Sequence, residues 1–207
     1  STGYGTGASR GEDSVMGRLG NAYTWYRIQN DSQNGRMIAG AMTAAERMPG
    51  EYDVVVLQIG ANDLLAKRSV SEVVADMQRL IEQVRTRAEQ VVVLSAGNIG
   101  AVPRFAGREA DVYTITSREY DARMTTLVQQ YQDVSFVSLF EEPEDDVFVA
   151  EPGVYIAVDG LHPSSAGYRV WYDKALPVFH LALIKLGVDP SVANRLSLHS
   201  PRGTMPT

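Results

Sequence analysis

Two nearly unbroken apolar runs constrain this chain more than any other feature: Val54-Val55-Val56-Leu57-Gln58-Ile59 and Val91-Val92-Val93-Leu94. A strand with one wet face alternates apolar and polar residues, whereas a continuous run marks a strand buried on both faces. Between the two runs, Val73, Val74, Met77, Leu80, Ile81 and Val84 recur at helical spacing within 70–87. Strand, helix and strand in that order imply a parallel pair with a crossover helix, hence a sheet covered on both sides. The expected fold is a three-layer α/β/α sandwich with a central parallel sheet.

The rest of the chain fits that frame. Residues 25–29 (Trp25-Tyr26-Arg27-Ile28-Gln29) read as a strand. Residues 37–48 read as an Ala- and Met-rich helix stopped by Pro49-Gly50. A loop with Pro103 covers 97–111, a helix 116–131, a short strand 134–137, an acidic loop 141–153 and a final amphipathic helix 164–186. With 207 residues, one domain spanning 1–207 is expected, its last part (188–207) a polar tail. The chain has no cysteine, which removes disulfides, thiolate zinc sites and thiol catalysis without fixing a compartment. Net charge is −6 with both signs interspersed, so no basic patch argues for nucleic acid. No run reaches membrane-spanning length.

Two short motifs carry chemistry. In Asp159-Gly160-Leu161-His162-Pro163, an aspartate three residues before a histidine can orient the imidazole as a general base. Pro163 keeps His162 out of the following helix, and Ser164 or Ser165 can cap that helix. In Gly60-Ala61-Asn62-Asp63, at the end of a buried strand, the Asn62 amide can point at a developing oxyanion. Ligands in open parallel sheets bind beyond the carboxyl ends of the strands, and Gly35 and Asn62 are each expected just after a strand. Asp63 reads as structural, holding its turn. His180 lies on a packed or rim face of the last helix, and His199 in the polar tail. Trp25 and Trp171 read as core or rim residues.

A base and an oxyanion donor need a hydroxyl within reach. With Ser1 as nucleophile and Gly5 four residues on, the order Ser1, Gly35, Gly60-Ala61-Asn62-Asp63, Asp159-Gly160-Leu161-His162 resembles the SGNH, or GDSL, hydrolases over nearly the whole chain. The resemblance implies a flavodoxin-like sheet and a triad of Ser1, His162 and Asp159. It implies an oxyanion hole made by the Ser1 N–H, the Gly35 N–H and the Asn62 amide. It also implies a Gly-Asp and a hydrophobic strand delivering the serine. Neither lies within the chain, and the tail has no strand-like run ending in Gly-Asp. That strand is therefore expected ahead of Ser1, because its loss would leave unpaired backbone on its neighbours. Ser14, in Gly11-Glu12-Asp13-Ser14, is the rival nucleophile. No apolar strand precedes it, as a nucleophile elbow would need, and the stretch reads instead as the polar start of a helix.

The activity so implied is hydrolysis of acyl or acetyl esters, with a small-molecule ester as partner and neither metal nor organic cofactor required. The same triad would serve an acyltransferase or a carbohydrate deacetylase. A non-catalytic binding module on the same scaffold is an alternative of a different class. A nucleotide-binding flavodoxin-like protein is another, although Gly3, Gly5 and Gly7 lack the Gly-Lys-Ser/Thr of a phosphate loop. The acidic run 141–146 lacks the spacing of a Ca²⁺ loop and reads as solvated.

Overall fold

A computed structural model describes residues 1–189; most of the polar tail, with His199, lies outside them. Eight helices and three strands are described: α1 Val15–Ala22, α2 Ile38–Glu46, β1 Tyr52–Gln58, α3 Ala61–Leu65, α4 Val70–Arg85, β2 Ala88–Leu94, α5 Arg108–Val128, β3 Val134–Val137, α6 Val147–Ala150, α7 Pro152–Tyr155 and α8 Ser165–Lys185. The strands form a parallel sheet in the order β1-β2-β3. Val54 sits opposite Gln90 and Gln58 opposite Leu94, while Val91 sits opposite Val134.

β2 shows why its sequence lacks alternation. Val91 and Val93 point into a core with Val73, Met77, Ile81, Tyr120 and Met124, from α4 and α5. Val92 and Leu94 point the other way, into a core with Val15, Leu19, Tyr168, Ala175 and Phe179, from α1 and α8. All four side chains are fully buried, so the run needs apolar residues at every position. The three layers expected from the sequence are those observed.

Local signals set the helix ends. Ser69 and Glu72 form a reciprocal capping box at the start of α4, satisfying donors that have no intrahelical partner. Ser164 caps α8 by accepting from the Ala166 and Gly167 N–H groups, each at 3.2 Å. α5 begins at Arg108, earlier than its apolar spacing suggests, immediately after Gly107. The acidic stretch contains two short helices, α6 and α7, the first capped by Asp146. Of its carboxylates, Glu141 pairs with Lys174 and Glu142 with Arg118.

Two expectations are corrected. Residues 25–29 form no strand: a turn at Trp25 leads into irregular backbone, and Trp25 is 41% exposed. Aromatic and β-branched residues favour strands only where a pleated, half-buried surface receives them. Here side-chain bonds fix the adjoining chain instead, Gln29 to Asp31 at 2.8 Å and Asn30 to the Gly3 carbonyl at 2.8 Å. Gly35 consequently follows no strand, and sits on an exposed turn before α2.

Among the described residues, β1 is paired on one side only. Its other edge faces a cleft of about 710 Å³ between the two helical layers.

Candidate active site

The candidate site lies at the carboxyl end of the sheet and is assembled from five segments of chain. The first is the turn after β1. Gly60 has φ +110°, and a Cβ there would come within 2.8 Å of the Tyr120 hydroxyl. Only glycine meets both demands, and it lets the chain pivot directly from β1 into α3, which starts Ala61-Asn62. The Asn62 Nδ2 donates to the Arg36 carbonyl at 2.9 Å. One of its two amide hydrogens thus ties the site to the Gly35-Arg36 turn, and the other is left for a ligand.

Asp63 anchors the same turn from below. It is fully buried, accepts from the Ile38 N–H at 3.0 Å and pairs with Arg68 at 2.7 Å. The Ile38 N–H is the first of α2, so Asp63 joins the start of that helix to the end of β1. Arg68 also reaches Asp76 at 2.7 Å. The structural role read for Asp63 is what its contacts display.

The second loop is the β-hairpin-like turn 156–163. Ile156 and Pro163 form an antiparallel bridge, the Ala157 N–H donates to the His162 carbonyl at 2.8 Å, and Gly160 turns the chain between them. Asp159 holds the turn with one oxygen and the imidazole with the other. Its Oδ1 accepts from the Leu161 and His162 N–H groups at 2.9 and 3.0 Å, and its Oδ2 lies 2.7 Å from His162 Nδ1. Burial works against ionisation of Asp159, but the His162 and Leu161 hydrogen bonds together outweigh it and hold the carboxyl below the usual aspartate value. An ionised Asp159 fixes the hydrogen on Nδ1, which leaves Nε2 as the basic nitrogen. The two side chains are 41% and 18% exposed, so solvent reaches the pair.

The third is the N-terminal loop. The Ser1 carbonyl accepts from the N–H groups of Tyr4, Gly5 and Thr6 at 3.0, 3.1 and 3.2 Å. The loop is fastened to α8 through Tyr168 Oη to the Thr6 carbonyl at 2.7 Å and the Ser9 N–H to Ser165 Oγ at 2.9 Å. Gly7 packs against His162 so closely that a Cβ would meet His162 Cβ at 2.8 Å and the Pro163 carbonyl at 2.6 Å. The fourth and fifth are the segments after β2 and β3, which bring Asn98 and Asp146.

Ser1, Asn62 and His162 line one pocket of about 80 Å³. Its other walls include Asn98, Asp146, Phe148 and Trp171. Burial pushes the Asp146 carboxyl above its usual value. Gly35 is outside that lining and connects to it through Asn62 and Arg36. Ser14 is elsewhere: 1% exposed, it donates to the Gly11 carbonyl at 2.8 Å and accepts from the Gly17 N–H at 3.0 Å as the cap of α1. His180 packs edge-on against Tyr23. Arg36 and Asn98 were not singled out from the sequence, where Gly7 figured only in a glycine pattern and Asp146 only in the acidic run read as solvated. Asn98 carried a weak signal, as a turn-forming polar residue shortly after an apolar strand.

Several solved structures share this fold. One is a member of the lipolytic G-D-S-L family from Veillonella parvula, 17% identical, with a TM-score of 0.64, 81% of this chain and 87% of the other being covered. Another is an acetyl-xylooligosaccharide esterase from Geobacillus Stearmophilus, 19% identical, TM-score 0.55, covering 79% and 77%. A third is a salicylyl-acyltransferase from a tetracycline biosynthetic pathway, 15% identical, TM-score 0.56, covering 90% of this chain and 52% of that one. At these identities the likeness is one of fold. No curated protein matches the chain. The family model that describes GDSL-like lipases and acylhydrolases matches residues 1–170, and the chain with its Asp159–His162 pair and its Asn62 turn belongs to that family.

Proposed function

We propose that the protein hydrolyses esters of short carboxylic acids through an acyl-enzyme formed on Ser1. The observation that supports this reading is the common pocket of Ser1, Asn62 and His162, with Asp159 holding Nδ1 of the imidazole. Ser1 Oγ attacks the ester carbonyl while His162 Nε2 takes its proton, and the same nitrogen returns it to the departing alcohol. Asp159 stabilises the imidazolium formed in between. The oxyanion is met by the free N–H of the Asn62 amide and by the Ser1 nitrogen, while Gly35, outside the pocket lining, supports Asn62 through the Arg36 carbonyl. Water, activated by His162, then releases the acid. A pocket of about 80 Å³ favours a short acyl group, or a comparably small part of the alcohol.

The test is labelling of the folded protein with a fluorophosphonate, followed by peptide mass mapping. An adduct on the peptide that begins at Ser1 is expected. An adduct on Ser14 would overturn the choice of nucleophile, and no adduct on protein that is folded by circular dichroism would favour a binding module.

A further inference from the structure

The pocket that holds Ser1, Asn62 and His162 contains two further polar side chains that ester hydrolysis leaves unused, Asp146 and Asn98. Both are almost completely buried, at 5% and 7% exposed. Much of the remaining wall is apolar, with Leu139, Phe148 and Trp171. A carboxylate in such surroundings is costly unless its lone pairs are met. Asp146 Oδ1 accepts from the Phe148 N–H at 2.9 Å. Oδ2 has no hydrogen-bond partner among the described residues, yet it is not one of the atoms sealed from solvent. In a side chain this buried, the opening that Oδ2 reaches is the pocket. Asn98 presents the complement. Its Oδ1 accepts from the Gly100 N–H and from Thr114 Oγ1, each at 3.1 Å, and one Nδ2 hydrogen goes to the Glu141 carbonyl at 3.3 Å. The second Nδ2 hydrogen has no partner among the described residues.

We propose, on the footing that Ser1 and His162 carry out the ester hydrolysis, that Asp146 and Asn98 bind a hydroxyl group of the ester close to the scissile carbonyl, and so select hydroxylated substrates over their plain counterparts. A hydroxyl both donates and accepts. Its hydrogen meets Asp146 Oδ2, and its oxygen takes the spare Asn98 hydrogen. An ammonium group only donates, and would leave Asn98 unmet. It would also share a small pocket with the imidazolium that His162 becomes, placing like charges together. A carboxylate or phosphate on the substrate would face Asp146 with the same sign of charge. Both side chains are held before a substrate arrives, Asp146 by its bond to the start of α6 and Asn98 by its three bonds. Groups fixed in advance lose little freedom on binding, and an ester without the hydroxyl would leave them unpaired in an apolar pocket. The hydroxyl can belong to the acid, as in a 2-hydroxyacyl group, or to the alcohol, as in a polyol or sugar. The chemistry that recognises it is the same.

The experiment measures kcat/KM on matched esters, each corrected for its rate with hydroxide. Phenyl glycolate against phenyl acetate places the hydroxyl on the acid, and 2-hydroxyethyl acetate against ethyl acetate places it on the alcohol. A preference of about a hundredfold for the hydroxylated member is expected in one pair, which identifies the side, since sites built to hydrogen-bond a substrate hydroxyl reject the analogue lacking it. Asp146→Ala is expected to bring that ratio close to one, and Asn98→Ala to lower it about tenfold, with thermal melts to show that both proteins fold. Asp146→Asn keeps the Phe148 bond and gives a second reading should Asp146→Ala unfold; its ratio is expected to fall about tenfold. A parent that hydrolyses the plain esters with a ratio near one in both pairs would overturn the proposal and leave the esterase activity standing. So would a preference untouched by Asp146→Ala, or a preference for phenyl glycinate that Asp146→Asn abolishes, which would make the pocket an ammonium site. No turnover of any ester, together with no fluorophosphonate adduct, would remove the esterase activity and the proposal with it.

Discussion

Replacing Asp159 by asparagine isolates what this carboxylate does to His162. Two functions are separable in the geometry. Oδ1 holds the turn through the Leu161 and His162 N–H groups, and Oδ2 faces Nδ1 at 2.7 Å. Asparagine keeps an oxygen for the first function and puts an NH₂ in place of the second. That NH₂ can only donate, so Nδ1 becomes an acceptor and the ring hydrogen moves to Nε2, the nitrogen that must take the Ser1 proton. The serine-protease version of this exchange costs about 10⁴ in kcat, and each tenfold is about 1.36 kcal/mol of barrier, so about 5.5 kcal/mol is expected. The fold is expected to persist, because Asp159 is a solvent-reached turn residue whose backbone bonds asparagine preserves. The assay is kcat for a p-nitrophenyl acetate-type ester beside thermal unfolding. Asp159→Ala is expected to lose as much activity and also to loosen the turn. Asp159→Asn combined with His162→Ala is expected to be no worse than His162→Ala alone, since groups acting as a unit are not additive. Activity of Asp159→Asn within tenfold of the parent, in folded protein that the parent turns over, would refute the assigned proton path.

Asn62→Ala removes one oxyanion donor and is expected to lower kcat by about a hundred- to a thousandfold with little change in unfolding temperature; steady-state kinetics and calorimetry check both. Asp63→Ala leaves the buried Ile38 N–H without an acceptor and Arg68 half-paired, so a loss of about 3 kcal/mol is expected in urea unfolding, while Asp63→Asn recovers part of it. Ser14→Ala removes the α1 cap and is expected to cost about 1 kcal/mol with esterase activity and fluorophosphonate labelling intact. The Arg85 guanidinium, which grips Asp133 through two 2.7 Å bonds, holds that carboxyl below its usual value. A depressed folded-state value means the pair stabilises the fold above the ordinary aspartate range and loses its effect as pH falls through the folded value. The stability gap between parent and Arg85→Gln is therefore expected at neutral pH and to shrink below about pH 4, as thermal melts across pH will show.

The parts of the fold legible in the sequence are those whose burial is the same on every side. Val91 to Leu94 contacts a helical layer on each face, so its unbroken apolar run carries the whole message. α4 declares itself by its apolar stripe, and the structure adds the Ser69–Glu72 cap that fixes its start. Residues 25–29 mislead because strand propensity reports a surface able to receive a strand, and among the described residues no strand pairs with them. The α6 and α7 turns were hidden for a different reason: four residues are too few for a periodic pattern, and only the Asp146 cap marks them. The early start of α5 hangs on Gly107, whose φ of +54° ends the loop without any apolar signature.

The candidate site divides along the same line between local and distant information. Asp159 and His162 are three residues apart, and their bond is closed by one turn whose geometry follows from Gly160 and Pro163, so sequence alone suffices to pair them. Asn62 is legible because a buried strand must end in a turn, and Gly60-Ala61-Asn62-Asp63 supplies one. The meeting of Ser1 with these groups is not local. It depends on Tyr168, Ser165 and Gly7 fastening the first nine residues against α8 and His162, contacts that span more than 150 positions and leave no periodic trace. The large cleft is different again, since an unpaired edge is a property of the assembled sheet. It can be seen only once β1 is known to have β2 on one side and, among the described residues, no strand on the other.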